Sequence, residues 1–90
     1  MSVKSYTKDP SETLDYPFNW ATWLSTDTIA SVVWTVPAGI TNTSTSNTTT
    51  VATIWLSGGT AGTDYDVSCK VITAGGRTGE RSITIAVRER

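Results

Sequence analysis

The sequence has no histidine and only one cysteine among its 90 residues. Histidine is the commonest general base and the commonest transition-metal ligand, so its absence argues against most hydrolytic and metal chemistry. Cys69 cannot form an internal disulfide, and alone it makes a cysteine metal site implausible. Asp27, Asp64 and Asp66 do not stand in a loop with calcium-ligand spacing. We therefore expect no enzyme activity and no catalytic, cofactor-binding or metal site.

An excess of charge of one sign is missing as well. The formal net charge is −1, and no run of Lys or Arg forms a basic stripe, so nucleic acid is not an expected partner. The longest apolar stretch, residues 29–36, is far shorter than the roughly 20 residues that cross a bilayer, which predicts no membrane span. The first ten residues lack the apolar segment of a signal peptide, so we expect either synthesis in a cytoplasm or a chain that is already mature.

Helical periodicity is also scarce, and only residues 22–24 offer a possible helical turn. Thr, Ser, Val and Ile dominate instead. The β-branched types among them, Thr, Val and Ile, favour extended backbone. The predicted strands are residues 3–7, 14–18, 28–36, 49–57, 63–73 and 81–88. Because 90 residues suit a single core, the sequence predicts one domain over residues 1–90, an all-β antiparallel β-sandwich of six or seven strands.

Alternation within the strands predicts which side chains enter the core. The inward sets are Ile83, Ile85 and Val87; Tyr65, Val67, Cys69 and Val71; and Ala30, Val32, Trp34 and Val36. Residues 49–57 are ambiguous, so Trp55 is either exposed or covered by a neighbour. The Thr-rich tract 41–50 is interpreted as a polar edge strand or a long loop, with disorder as the remaining alternative.

The aromatic residues exceed what a small core needs, and they cluster in residues 16–24. Trp20, Trp23 and Trp55 either close one end of the sandwich or form a partly exposed patch of the kind that marks protein interfaces. A sugar-stacking platform is a further interpretation. Arg77 lies at the tip of a Gly-rich hairpin and is either a contact or a solubilising residue. The interface candidates are therefore Trp20, Trp23, Trp55 and Arg77.

Two short motifs resemble fibronectin type III domains, namely Trp34-Thr-Val-Pro37 and Gly62-Thr-Asp-Tyr65-Asp-Val67. The chain is also similar, over nearly its whole length, to a family of small phage and prophage structural proteins. That resemblance is carried by the order Lys8-Asp-Pro10, Leu14-Asp-Tyr16, Asn19-Trp20, Trp23-Leu24, Asp27-Thr-Ile29, Trp34, Trp55-Leu-Ser-Gly-Gly-Thr-Ala-Gly62, Tyr65, Cys69, Gly76-Arg77 and Glu80-Arg-Ser82. Asn19 departs from the acid expected before Trp20.

The resemblance implies an Ig-like virion protein that acts as an assembly or adaptor module in the tail, neck or fibre-attachment region. It implies other virion proteins as partners, a homo-oligomer in the particle and synthesis in the host bacterial cytoplasm, and it supplies no catalytic residues. Residues 1–10 are a possible N-terminal arm that pairs with a partner's strand edge. The alternatives are a capsid decoration protein and a carbohydrate-binding or adhesive Ig-like module.

Overall fold

The computed structural model describes residues 3–89 and contains seven strands and one short helix in that range. They are β1 (Val3–Lys8), β2 (Leu14–Asn19), α1 (Ala21–Leu24), β3 (Ile29–Thr35), β4 (Ile40–Asn47), β5 (Val51–Gly58), β6 (Asp64–Thr73) and β7 (Thr78–Val87). One sheet has the strand order β1-β7-β6-β3 and the other the order β2-β5-β4. The strand pairs are antiparallel except for β1, which runs parallel to β7. The predicted all-β sandwich is confirmed.

The core lies between the two sheets and is built from the inward faces that alternation predicts. On β6 and β7 the predicted inward residues are buried without exception. On β5 the buried face is that of Ala52, Ile54 and Leu56, whereas Trp55 is 40% exposed on the opposite face. The ambiguity over residues 49–57 is therefore resolved in favour of one covered face.

Strand β3 departs from the predicted alternation at its start. Val32 and Trp34 pack against the core as expected, but Ala30 is exposed and Ile29 is buried in its place. The pairing register with β6 shifts between Ile29 and Ser31, which marks a β-bulge. Because a bulge inserts one unpaired residue, side chains before it point to the opposite face from the one that simple alternation assigns. The expectation for Ala30 was therefore wrong.

The Thr-rich tract forms β4, the edge strand of the three-stranded sheet. Its first residue, Ile40, is buried, and residues 41–47 are all exposed. The edge-strand interpretation is thus confirmed over these residues, while the loop and disorder interpretations are not. The backbone pairs with β5 throughout, with one irregularity between Asn42 and Ser44.

Most of the segment predicted as a possible N-terminal arm forms a strand of the four-stranded sheet. Residues 3–8 form β1, which occupies the free edge of β7, and Lys8 at its end is fully buried. Residues 1–2 of the proposed arm lie outside the described residues. Between residues 3 and 89, no helix has the length and apolar character that crossing a membrane requires.

Candidate docking surface at one end of the sandwich

The short helix α1 forms where two apolar side chains, one just before the helix and one at its end, are buried in the core. Trp20 precedes the helix and Leu24 ends it, and both are 1% exposed. Their spacing of four residues puts them on one side of a helical turn, and the Leu24 N–H donates to the Trp20 carbonyl at 2.8 Å. The Asn19 Oδ1 accepts the Ala21 N–H at 2.9 Å and so satisfies one free donor at the helix start.

The indole rings of Trp20 and Trp23 pack edge to face beneath β7. Their centroids are 5.2 Å apart, and the ring planes make an angle of 67°. A Cβ atom on Gly79 would lie 2.8 Å from Cζ2 of Trp23 and 3.1 Å from Cζ3 of Trp20. Only a glycine at this position lets both rings approach the strand so closely.

Two arginines cover the outer surfaces of these rings. The guanidinium carbon of Arg81 lies 4.2 Å from the Trp20 ring centroid, and that of Arg77 lies 4.5 Å from the Trp23 ring centroid. Each arginine also donates to a backbone carbonyl near the helix, Arg81 to Asn19 at 2.9 Å and Arg77 to Leu24 at 2.8 Å. The arginines therefore hold the helix and its rings against the last strand through cation–π contacts and charged hydrogen bonds.

Asp27 joins the same cluster from the loop after α1. Its Oδ1 accepts the backbone N–H groups of Thr28 at 2.9 Å and Gly75 at 3.0 Å, and its Oδ2 lies 3.2 Å from Nε of Arg77. Hydrogen bonds lower the pKa of this carboxyl to about 2, and the bond from the Thr73 side chain has the largest effect. The carboxylate is therefore ionised at neutral pH and ties the β6–β7 hairpin to the loop.

The structure brings together three of the four interface candidates. Trp20, Trp23 and Arg77 share one end of the sandwich, where Trp23 is partly buried and the Arg77 side chain is 45% exposed. Trp55 lies elsewhere, because it sits four residues along β5 from Val51, which pairs with Asn19 beside α1. At about 3.3 Å per residue, that places it roughly 13 Å from this end.

Trp20 takes the role of a lid over the core, which leaves its ring no accessible face for a partner. Its indole Nε1 has no hydrogen-bond acceptor among the described residues, and the Cys69 thiol is the polar group that it faces. Burial raises the pKa of that thiol to about 11, so Cys69 is an inert core residue. Trp23, Trp55 and Arg77 therefore keep exposed surface, whereas Trp20 has almost none.

Sequence reasoning missed Arg81, Asp27 and Gly79 as members of this cluster. A signal for two of them was present, because Gly79 and Arg81 fall in the same alternation series as the buried Ile83. An arginine in an inward series needs an aromatic or acidic partner, and the spare tryptophans could have supplied it. No comparable pattern identifies Asp27, whose partners come from a distant hairpin.

The described residues hold no group of three or more His, Cys, Asp and Glu side chains that could bind a metal. Val33 is 50% exposed and Ile72 is 37% exposed. They belong to the outer face of β3 and β6, where Ser31 pairs with Ile72 and Val33 pairs with Lys70. This is a small apolar area interrupted by a charge, and single exposed apolar residues of this kind are ordinary.

The comparisons with known proteins identify one family. The sequence model of a family described as Podophage GP4 fiber-tail adaptor protein gp77 matches residues 8–86. That range includes β2 to β6 and all of β7 except Val87, but only Lys8 of β1, and it contains the whole of the cluster at the α1 end. No curated protein sequence gives a significant match.

Proposed function

The chain belongs to the podophage GP4 fiber-tail adaptor family, and we propose that it acts as a rigid spacer with two separate contact surfaces. It is a virion structural protein with an adaptor role in the fibre-attachment region of the tail, and its partners are other tail or fibre proteins. The family match does not favour a capsid decoration protein or a carbohydrate-binding module. What the family leaves open is which residues make the contacts.

The first contact surface is the end surface, defined by Trp23 and Arg77. Trp and Arg are the residue types that most often dominate protein interfaces, because they combine a large apolar area with directional hydrogen bonding. Here both side chains are already held in place, Arg77 by Asp27 and by the Leu24 carbonyl. A partner therefore loses little binding free energy to the ordering of these side chains.

The second contact surface is the outer face of the three-stranded sheet around Trp55. This ring is 40% exposed in the middle of the sheet, and its neighbours in register are Asp15 on β2 and Ser44 on β4. Thr43 also donates its hydroxyl to the Trp55 carbonyl at 3.2 Å. A single large apolar ring surrounded by polar side chains has the composition of an interface centre with a polar rim.

The observation that carries this assignment is the separation of the two surfaces. An adaptor contacts one structure on each side, so it needs two surfaces that two partners can occupy at the same time. The long axis of the molecule measures 42 Å, and Trp55 lies roughly 13 Å along β5 from the residue that pairs beside α1. The dense core between the sheets makes the spacer stiff.

The experiment is complementation of a phage that lacks the adaptor gene. Trp55→Ser and Arg77→Glu each change an exposed or partly exposed side chain, and Ile72→Ser, on the outer face of the other sheet, is the matched control. We expect particles with either test variant to lose tail fibres, measured by immunoblot of purified particles, and particles with the control to keep them. Normal fibre content with both test variants would contradict the two surfaces, provided circular dichroism shows that the proteins are folded.

We also infer that several copies associate in the particle. Strand β4 is an edge of its sheet and contains no charged residue and no proline, the usual devices that prevent edges from pairing. Strand β3 at the corresponding edge of the other sheet is uncharged as well. Light scattering after size-exclusion chromatography tests this, and a monomer at every concentration up to the millimolar range would oppose it.

An immunoglobulin-like arrangement is our interpretation of the strand order. With β1 taken as strand A, the sheets are B-E-D and A-G-F-C, so six strands follow the constant-type immunoglobulin order while strand A pairs with G instead of B. Tyr65 near the start of β6 accepts the Thr60 N–H at 2.9 Å, which is the bond of a tyrosine corner. We further propose that the protein has no catalytic role, that residues 1–90 are one domain and that the host cytoplasm is the site of synthesis.

A further inference from the structure

We propose that a cleft between β1, β2 and β7 takes a carboxylate side chain from an extended segment of a neighbouring virion protein. The inference rests on the proposed function, since it names the chemistry of a partner at the end surface. The cleft has a volume of about 260 Å³ and opens between the edges of the two sheets. Tyr6 lines the cleft, and its ring contacts that of Tyr16 with ring centroids 5.2 Å apart.

The charge of the cleft favours an anionic occupant. Lys4 and Arg81 line it, and none of its lining residues is an acid. Within residues 3–89 the ion pairs join Asp27 to Arg77 and Asp64 to Arg88, so neither cation of the cleft has a salt bridge. Because the whole chain carries a net charge of −1, this positive character is local and not part of a general basic field.

Arg81 is already positioned to receive a carboxylate. Its guanidinium stacks on Trp20, and Nη1 donates to the Asn19 carbonyl. The other N–H groups of the guanidinium are left available for a carboxylate, which matches the guanidinium fork in geometry. Lys4 on β1 is exposed and supplies a second positive charge on the other wall of the cleft.

The size and lining of the cleft favour a polypeptide side chain as the occupant. Its volume is slightly below that of usual small-molecule sites, so it has room for one or two side chains. Tyr6, Pro17 and Phe18 provide an apolar wall beside the two cations. In an extended segment, the side chains of residues i and i+2 point the same way. A segment with an apolar residue at i and Asp or Glu at i+2 would therefore contact the apolar wall and the two cations together.

Insertion of a side chain suits this edge better than addition of a whole strand. Pro17 lies within β2 and has no N–H group, which interrupts the donors along an edge strand. The cleft is also continuous with the end surface, because Arg81 covers Trp20 and Trp20 packs on Trp23. One partner segment can therefore contact the aromatic end and place its acid in the cleft.

The test measures binding of the purified full chain to particles that lack it, by co-sedimentation. Lys4→Glu is the test variant, and Lys70→Glu, an exposed lysine on the outer face of β6, is the matched control. We expect Lys4→Glu to bind about tenfold more weakly, because an attractive pair becomes a repulsive one, and Lys70→Glu to bind like the wild type. Circular dichroism confirms folding of both variants.

A peptide array identifies the chemistry of the occupant. It carries twelve-residue peptides that tile the tail and fibre proteins of the same phage, each beside a copy with Asp and Glu replaced by Asn and Gln. We expect the wild-type chain to bind particular acidic peptides, and to lose them when the acids are replaced or when Lys4 is changed to Glu. Equal binding of the acidic and amide copies would overturn the assignment of a carboxylate.

The outcomes separate this inference from the proposed function. If Arg77→Glu weakens particle binding while Lys4→Glu binds like Lys70→Glu, the cleft is not used and the end surface stands. If none of these variants weakens binding, both ideas are overturned. If Lys4→Glu instead converts an oligomer of the chain into a monomer, the occupant is a second copy, and the inference of a different virion protein is wrong.

Discussion

The guanidinium carbon of Arg77 lies 4.5 Å from the centroid of the Trp23 ring, and this contact fastens the β6–β7 hairpin to the helix that follows β2. The two elements are distant in the chain, and Arg77 bridges them a second time through the Leu24 carbonyl. The end surface is thus a joint between two parts of the sandwich. Its shape depends on both of them, which couples stability of the domain to the geometry of the contact.

Replacing Arg77 with Gln should loosen this joint. The variant loses the cation–π contact and the charged hydrogen bond, and because the side chain is 45% exposed we expect the free energy of unfolding to fall by only about 1 kcal/mol. Urea denaturation followed by tryptophan fluorescence measures the change. Arg88→Gln, which removes the exposed ion pair with Asp64, is the control and should cost less than about 0.5 kcal/mol. Equal effects of the two substitutions would contradict the claim that Arg77 fastens the β6–β7 hairpin to α1.

Asp27 should make the stability of the domain depend on pH in the acid range. Its pKa is about 2 in the folded chain and 3.8 ordinarily, so between these values the unfolded chain binds more protons. The contribution of Asp27 is therefore complete above about pH 4 and is lost as the pH falls toward 2. Thermal denaturation between pH 7 and pH 2 measures this loss.

The variant Asp27→Asn isolates that contribution. It should be less stable than the wild type at pH 7 and should show a shallower decrease between pH 4 and pH 2, since its amide does not titrate. Asp15→Asn, which removes one negative charge from an exposed position on β2, is the matched control. If Asp27→Asn and the wild type lose stability in parallel, the carboxylate does not join the hairpin to the loop.

Most of the fold was predictable because the strands of this protein bury one face and expose the other. Alternation therefore identified the inward faces of β6 and β7 without knowledge of their partners. It failed at the start of β3, because the bulge between Ile29 and Ser31 leaves no mark in the pattern of apolar residues. The irregularity depends on how β3 meets β6, which is a property of the assembled sheet.

The candidate site was less predictable because its geometry depends on residues far along the chain. Trp20 and Trp23 are neighbours in sequence, yet one is buried and the other partly exposed. On the last strand, Gly79 leaves space for both rings and Arg81 covers the ring of Trp20. A spare aromatic cluster was visible in the sequence, but which ring stays partly exposed was not.

Lys8 should contribute to stability as a buried clamp between the sheets. It is fully buried, and its Nζ donates to the Gly58 carbonyl at 2.7 Å and to the Asp9 carbonyl at 2.9 Å, while burial lowers its pKa. Lys8→Met keeps most of the side-chain volume but leaves both carbonyls without this donor, which should cost about 1–3 kcal/mol of unfolding free energy. Urea denaturation measures the cost, and Lys70→Met on the exposed face of β6 is the control.

Hydrogen exchange shows where the clamp acts. The amides of β1 should exchange faster in Lys8→Met than in the wild type, because β1 is the edge strand that Lys8 anchors to β5 in the other sheet. The amides of β6 should be unchanged apart from the loss of global stability. Equal stability of Lys8→Met and the wild type would mean that water satisfies the two carbonyls when the lysine is removed.

Replacing Gly79 with Ala should displace the tryptophan pair. The added Cβ would lie within 3.0 Å of two Trp23 ring atoms and 3.1 Å from Trp20, so the rings or β7 must move. Overpacking of this kind costs about 1–3 kcal/mol. Chemical denaturation measures the loss, and Glu80→Ala, an exposed change at the next position, is the control. Because Arg77 rests on Trp23, the same substitution should also reduce fibre incorporation. A Gly79→Ala protein with wild-type stability would show that the rings do not pack against this strand.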